Sequence, residues 1–180
     1  ISLLLSHHKP KVLWITLPHT TGRTFTHKET LLINFLRQMA EQQIHYQRHV
    51  FFESPDSIPA WNHKSVLGLK LNNNLTDSTY TWCGHAVKDI ETQKVIHRPS
   101  RVLGTAKLPK LCSAKCKCAS PEVHQTMRST FKEGKHAGMP RPRFYQQYPQ
   151  EILTAAYENL EGLGIKDTKG TDTGHPVKSK

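Results

Sequence analysis

KVLWITLPHTTGRTFTHKETLLINFLRQMAEQQIHYQRHVFFESP, residues 11–55, is the stretch that decides the fold. Lys11 to Leu17 is an apolar, β-branched run set between Pro10 and Pro18, the pattern of a buried strand. His49 to Ser54 is a second such run, ended by Pro55. Between them, Thr26-His27-Lys28-Glu29 has the spacing of a capping box and predicts a helix from about Lys28 to Tyr46. Leu32, Phe35, Leu36, Met39 and Ala40 recur at helical spacing, so they are expected to face the core. Strand, loop, helix and strand at this spacing make a βαβ crossover, which implies parallel pairing. The expected fold class is therefore α/β: an open, mostly parallel sheet with flanking helices. The loop from Pro18 to Arg23 follows the first strand, at the edge where open α/β sheets bind ligands.

Working outward, Pro59-Ala60-Trp61 reads as a short helix or loop, and Asn72 to Asn74 as a turn. Thr79 to Cys83 reads as a third strand, Asp89 to Lys94 as a hairpin connection, and Arg101 to Thr105 as a fourth strand. Glu151 to Leu163 has Ile152, Leu153, Ala156, Tyr157 and Leu160 at helical spacing, stopped by Gly162 and Gly164. Residues 1–163 are expected to form one α/β domain. Residues 164–180, basic and almost free of apolar side chains, are expected to be a disordered tail.

The 180 residues carry 25 Lys and Arg against 14 Asp and Glu, a net charge of +11. That balance favours polyanionic partners, nucleic acid first. No apolar run approaches the roughly 18 residues of a membrane span, so no membrane partner is expected. The opening ISLLLSHHK lacks the basic start and small-residue cleavage site of a signal peptide. Because the chain begins at Ile1, it reads as a piece of a longer polypeptide, whose remainder is a possible partner.

Cysteine usage carries the clearest chemistry. Cys112, Cys116 and Cys118 fall with His124 in LCSAKCKCASPEVHQ, and thiolate and imidazole are the ligands of tetrahedral Zn²⁺. The candidate metal ligands are therefore Cys112, Cys116, Cys118 and His124, with His136 as an alternative fourth. Pairing of Cys112 with Cys116 or Cys118 in a disulfide, or plain free thiols, are the competing readings. Cys83, in WCGH, lies outside the cluster and reads as a core residue at a strand end. Clustered thiols suit a reducing, intracellular compartment, the nucleus among them.

Several segments share an order with one family. They are VLWITLPHT, HVFFESP with Trp61 soon after, WCG at 82–84, HRPSRVLGT at 97–105, the cluster starting at Cys112, and QQYPQEILTAAY at 146–157. In this order the chain resembles the DNA cytosine-C5 methyltransferase-like domains of retroelement polyproteins and related genes, across roughly residues 9–160. The resemblance implies a class I methyltransferase fold, truncated at its N-terminus. It implies catalytic positions at His19, Glu53 and Arg101. In the family a Pro-Cys pair supplies the thiolate that attacks cytosine; here the pair is Pro18-His19, and imidazole is not an equivalent nucleophile. Glu53 matches the glutamate that holds the flipped base, and Arg98 and Arg101 match a basic strand near it. The family's S-adenosylmethionine half carries a glycine-rich turn and would lie before Ile1; no such turn is found in this chain, where Gly22 in TTGRT is a lone glycine, so that half is missing from this stretch or absent from the protein. Related domains often show Cys-x₃-His-x-His where this chain has Cys112-x₃-Cys116-x-Cys118, an exchange that a metal site tolerates.

The implied function is a degenerate methyltransferase-like domain that contacts nucleic acid and transfers no methyl group by itself. Two alternatives stand beside it. One is a zinc-stabilised nucleic-acid-binding module. The other is an enzyme using a His19/Glu53 acid–base cleft. Candidate nucleic-acid contacts are Arg98 and, in the basic, proline-broken stretch from 132 to 148, Lys132, Lys135, Arg141 and Arg143, where cations meet the aromatic residues Phe144 and Tyr145.

Overall fold

The first strand forms where the apolar run predicts it. In the computed structural model, which describes residues 7–18, 24–120, 123–125, 127, 129–141 and 148–165, β1 spans Val12–Thr16 and β2 spans His49–Pro55. They pair in parallel from Val12 opposite His49 to Thr16 opposite Glu53. The helix between them, α1, runs from His27 to His45. Its capping box is complete: the Thr26 N–H donates to Glu29 Oε2 at 2.8 Å, and the Glu29 N–H donates to Thr26 Oγ1 at 3.2 Å. The buried face is rotated from the expected one. Ile33, Ala40 and Gln43 face the core, with Leu36 and Ile44 beside them, while Leu32 is 44 % exposed. A polar residue hides this face from a hydrophobic pattern: Gln43 is buried because its Nε2 donates to the Pro10 carbonyl at 2.7 Å.

A 3-10 turn, Pro59–Asn62, follows β2 and buries Trp61, whose indole N–H donates to the Pro55 carbonyl. Helix α2, Lys64–Asn72, was not expected from the sequence. Its N-cap is His63, whose Nδ1 accepts from the Ser65 N–H, so none of the usual Ser, Thr, Asp or Asn caps marks its start. Strand β3 spans Thr76–Thr81. It starts earlier than expected and stops before Trp82, because Trp82–His85 closes into a 3-10 turn.

Next come β4 (Val95–Ile96), β5 (Pro99–Gly104), a short helix α3 (Pro109–Cys112), β6 (His124–Gln125) and the helix α4 (Gln150–Gly162). The main sheet has the order β1-β2-β5-β3. The class is α/β as expected, but the sheet is mixed. β5 runs antiparallel to both neighbours, so β1, β2 and β3 point one way and β5 opposes them. The expectation of mostly parallel pairing is corrected here. The segment between β3 and β5 holds a 3-10 turn and the two-residue β4 rather than a crossover helix, so the chain reverses.

Side-chain alternation assigns the two faces of the sheet. Ile15, Phe52 and Leu103 pack under α1 and α2. Phe51, Tyr80 and Val102 pack on the other face with Trp82, Leu111 and Ile152, under α3 and α4. On that second side, β4 and β6 pair in parallel, Val95 opposite His124. The turn from Asp89 to Lys94 forms as expected, closed by the Asp89 N–H to the Lys94 carbonyl. No helix among the described residues is long and apolar enough to cross a membrane. The expected tail from 166 onward, His19, the Gly22 loop and Arg143 lie outside the described residues.

Candidate metal centre

Cys83, Cys116, Cys118 and His124 each turn one ligand atom toward a common point, and these atoms all lie within 4.8 Å of one another. One metal ion could touch all four. The group comes from three pieces of chain. Cys83 sits in the Trp82–His85 turn, Cys116 and Cys118 on the irregular segment after α3, and His124 on β6. The alternation Lys115-Cys116-Lys117-Cys118 points both cysteines inward and leaves both lysines exposed. Backbone contact ties the first two pieces together. The Thr81 N–H donates to the Ala114 carbonyl, and a Cβ added to Gly84 would stand 2.5 Å from that same oxygen. Only glycine admits this approach.

The third piece is held by polar contacts. Gln125, beside His124, accepts from the Thr92 hydroxyl at 2.9 Å and donates to Ser129 Oγ at 3.1 Å. Arg141 donates to the same Ser129 and to Asp89 Oδ2 at 2.8 Å. It also pairs with Glu91. The Arg141 and Asp89 side chains are buried, and the arginine lies over the Phe131 ring. This is a charge pair in which the hydrogen bonds are satisfied, the condition under which burial is tolerated.

The four cysteines are free thiols. Cys116 Sγ lies 3.4 Å from His124 Nε2. The backbone N–H of Cys118 and then the Cys83 thiol pull the Cys116 thiol below its ordinary pKa, while burial pushes Cys83 up to about 11. His97 stacks near the His124 ring, with centroids 4.9 Å apart.

The structure corrects the expected ligand set at two positions. Cys116, Cys118 and His124 come together as expected, but Cys112 does not join them. It ends α3 and packs against the core, where burial pushes its thiol up to about 11. Cys83, read as a strand-end core residue, takes its place. The missing signal was topological, since Cys83 comes close only because β3 stops at Thr81. His136 sits against Phe131 in another turn and is not in the group.

Glu53 stands at the C-terminal end of β2, fully buried. The Tyr80 hydroxyl donates to its Oε1 at 2.9 Å and the Tyr148 hydroxyl to its Oε2. Burial raises its pKa, opposed by the Tyr80 hydrogen bond and then by the nearby Arg98 charge. Arg98 itself stacks on Trp82, 4.3 Å from the ring centroid. Arg101 lies on the opposite face of the sheet. It is paired with Ser54, next to Glu53, and alternation turns it the other way. It forks onto Asp77, at 2.8 and 2.5 Å, and holds that carboxyl down at about 2. A cleft shared by Glu53 and Arg101 is therefore not formed, and with His19 undescribed the acid–base triad has no geometry.

Among the expected nucleic-acid contacts, Lys132 and Lys135 are exposed. Arg141 is 2 % exposed and committed to Asp89 and Glu91, so its expected role is corrected to a structural one. Arg98 is half-buried against Trp82.

No family model, curated protein or solved structure matches this chain.

Proposed function

We propose that this chain is a nucleic-acid-binding domain of degenerate cytosine-C5 methyltransferase-like build, closed by one structural zinc ion and without methyl-transfer activity by itself. The observation that carries the reading is the convergence of Cys83, Cys116, Cys118 and His124. Ligand atoms at zinc bonding distances of about 2.0–2.3 Å, arranged tetrahedrally, stand roughly 3.4–3.8 Å from one another. The Cys116–His124 separation of 3.4 Å already meets this. The widest separation of 4.8 Å closes with a shift of about 1 Å, within reach of side-chain rotation. Soft thiolates with one imidazole favour zinc over the hard cations, which take oxygen. Four protein ligands leave no open position for a reacting water, so the ion would have a structural role.

One further feature supports the lineage. A βαβ unit leads to a glutamate at the carboxyl end of β2, the place where the resemblance puts a base-holding acid. The residue after Pro18 is His19 where the family has cysteine, a departure that supports the absence of methyl transfer. Glu53 is enclosed by two tyrosine hydroxyls, so its present role is to anchor those rings. The net charge of +11 supports a polyanionic partner.

The test is direct. Protein purified without added metal should carry about one equivalent of zinc and bind DNA with an affinity that falls steeply with salt. Incubation with S-adenosylmethionine and DNA should transfer no methyl group. Metal-free protein that keeps its stability, or measurable methyl transfer, overturns the reading.

A further inference from the structure

The cations of this chain are not spread evenly. From Lys94 to Ser120 there are seven Lys and Arg and no Asp or Glu. Three of the seven have identifiable work: Arg98 lies on Trp82, Arg101 forks onto Asp77, and Lys110 pairs with Glu158 at 3.1 Å. Lys107, Lys115 and Lys117 project from the surface. Two of these, Lys115 and Lys117, line a cavity of about 440 Å³ together with Cys83, Gly84, Ser113, Ala114 and Cys118. Two of its residues, Cys83 and Cys118, belong to the metal group, so the cavity opens beside that group; its remaining residues are two lysines, a serine and small residues, with no Asp or Glu and no large apolar side chain.

We infer that this cavity is the chain's contact for the phosphodiester backbone of nucleic acid. The inference rests on the nucleic-acid-binding reading above and gives it a place. Ammonium groups are point charges with rotating donors, suited to phosphate oxygens without fixing a sequence. No aromatic side chain lines the cavity, so it offers no platform for base stacking. The contact is with the backbone alone, and DNA and RNA share that chemistry. The metal matters to it indirectly. Lys115 and Lys117 alternate with Cys116 and Cys118, so anchoring the thiols orients the lysines outward. Gly84 and Ala114, pressed together, form the floor.

A different account is that the two lysines only offset the negative charge of three thiolates. The experiment separates the accounts. The full chain, its zinc content measured, is titrated with fluorescein-labelled duplex DNA, single-stranded DNA and single-stranded RNA of about 20 nucleotides, from 50 to 200 mM salt. Lys115→Ala/Lys117→Ala is compared with Lys132→Ala/Lys135→Ala, which removes the same charge from the other basic segment. The inference expects the first double variant to keep its zinc and melting temperature. It also expects a plot of log affinity against log salt for duplex DNA that is shallower by about two. Across that salt range the wild type then loses about tenfold more affinity than the variant. The second pair should change the slope less. Loss of zinc without a change of slope in the metal-loaded fraction overturns the inference in favour of charge offset. An unchanged slope, or a larger effect from Lys132 and Lys135, overturns it while leaving the nucleic-acid reading intact. Failure of the wild type to bind any of the three probes overturns both. Preference among the probes identifies the natural source of the backbone.

Discussion

Serine placed at Cys83 and serine placed at Cys112 are expected to have opposite outcomes, although the sequence alone ranks them the other way. Cys83 is a member of the four-ligand group and Cys112 is not. Through the ion, Cys83 ties the Trp82–His85 turn to Cys116, 33 residues later. A cross-link of that span removes about 4 kcal/mol of entropy from the unfolded chain. The eight-residue span from Cys116 to His124, closed by the same ion, is worth about 2.5 kcal/mol more by the same relation. Cys83→Ser should therefore lose the zinc and, with it, at least about 4 kcal/mol. For a chain of this size that is a fall in melting temperature of roughly 10 °C. Cys112→Ser buries a hydroxyl in the core beside α3, a change of about 1–2 kcal/mol, and should leave the metal in place. The assay is elemental zinc per mole of protein, with thermal melts before and after a chelator. Wild type and Cys112→Ser should both lose stability on chelation, and Cys83→Ser should be indifferent to it. Full zinc occupancy in Cys83→Ser, or its loss in Cys112→Ser, would refute the ligand assignment.

Four other perturbations test the surrounding frame. Gly84→Ala would set a methyl group 2.5 Å from the Ala114 oxygen, so the turn must move; weaker zinc retention in a competition with a chromogenic chelator is the expected result. Arg141→Ala leaves Asp89 buried without its partner and should cost about 3–5 kcal/mol by denaturant unfolding, with less loss when Asp89→Asn is combined with it. Glu53 has a raised folded pKa, so it favours the folded state most at pH below its unfolded value, and that contribution is lost as pH rises through the folded value. Melts of wild type and Glu53→Gln from pH 4 to pH 9 should show the variant gaining relative to wild type as pH rises, and a constant difference would contradict the burial argument. Asp77 and Asp89 act in the opposite sense. Both are depressed to about 2, so each adds about 2 kcal/mol that is present above pH 4 and lost as pH falls through 2. Acid unfolding should steepen in that window, and should do so less in Asp89→Asn.

The parts of the fold governed by local chemistry were legible in the sequence. Prolines bracket β1, a capping box starts α1, and the α4 apolar positions Ile152 and Ala156 reach the core as their spacing requires. The parts that depend on distant partners were not. Gln43 is buried for the sake of one carbonyl, and His63 caps α2 in place of the usual hydroxyl or carboxamide. The direction of β5 follows from the absence of a crossover helix after β3, which no pattern within β5 reveals. The metal centre divides the same way. Cys116, Cys118 and His124 lie close in sequence and could be read together. Cys83 joins them because β3 stops at Thr81 and Trp82–His85 closes into a turn, and Cys112 leaves because α3 turns it inward. Arg141 and Arg101 show the same limit for charge, since composition counts cations without saying which are already paired.

The two polar centres of the domain are joined by a single side chain. Glu53 and Arg98 each favour the other's charged form, and Arg98 lies over the Trp82 ring. Trp82 in turn donates its backbone N–H to the Arg98 carbonyl at 3.2 Å and is followed directly by Cys83. The metal-binding turn is thus seated on the arginine that the buried glutamate attracts. The Tyr80 and Tyr148 hydroxyls hold Glu53, Arg98 lies over the Trp82 ring, and Trp82 begins the turn that presents Cys83. The carboxyl end of β2 and the Trp82–His85 turn are thus parts of one connected frame, and beside that turn Lys115 and Lys117 stand exposed in alternation with Cys116 and Cys118.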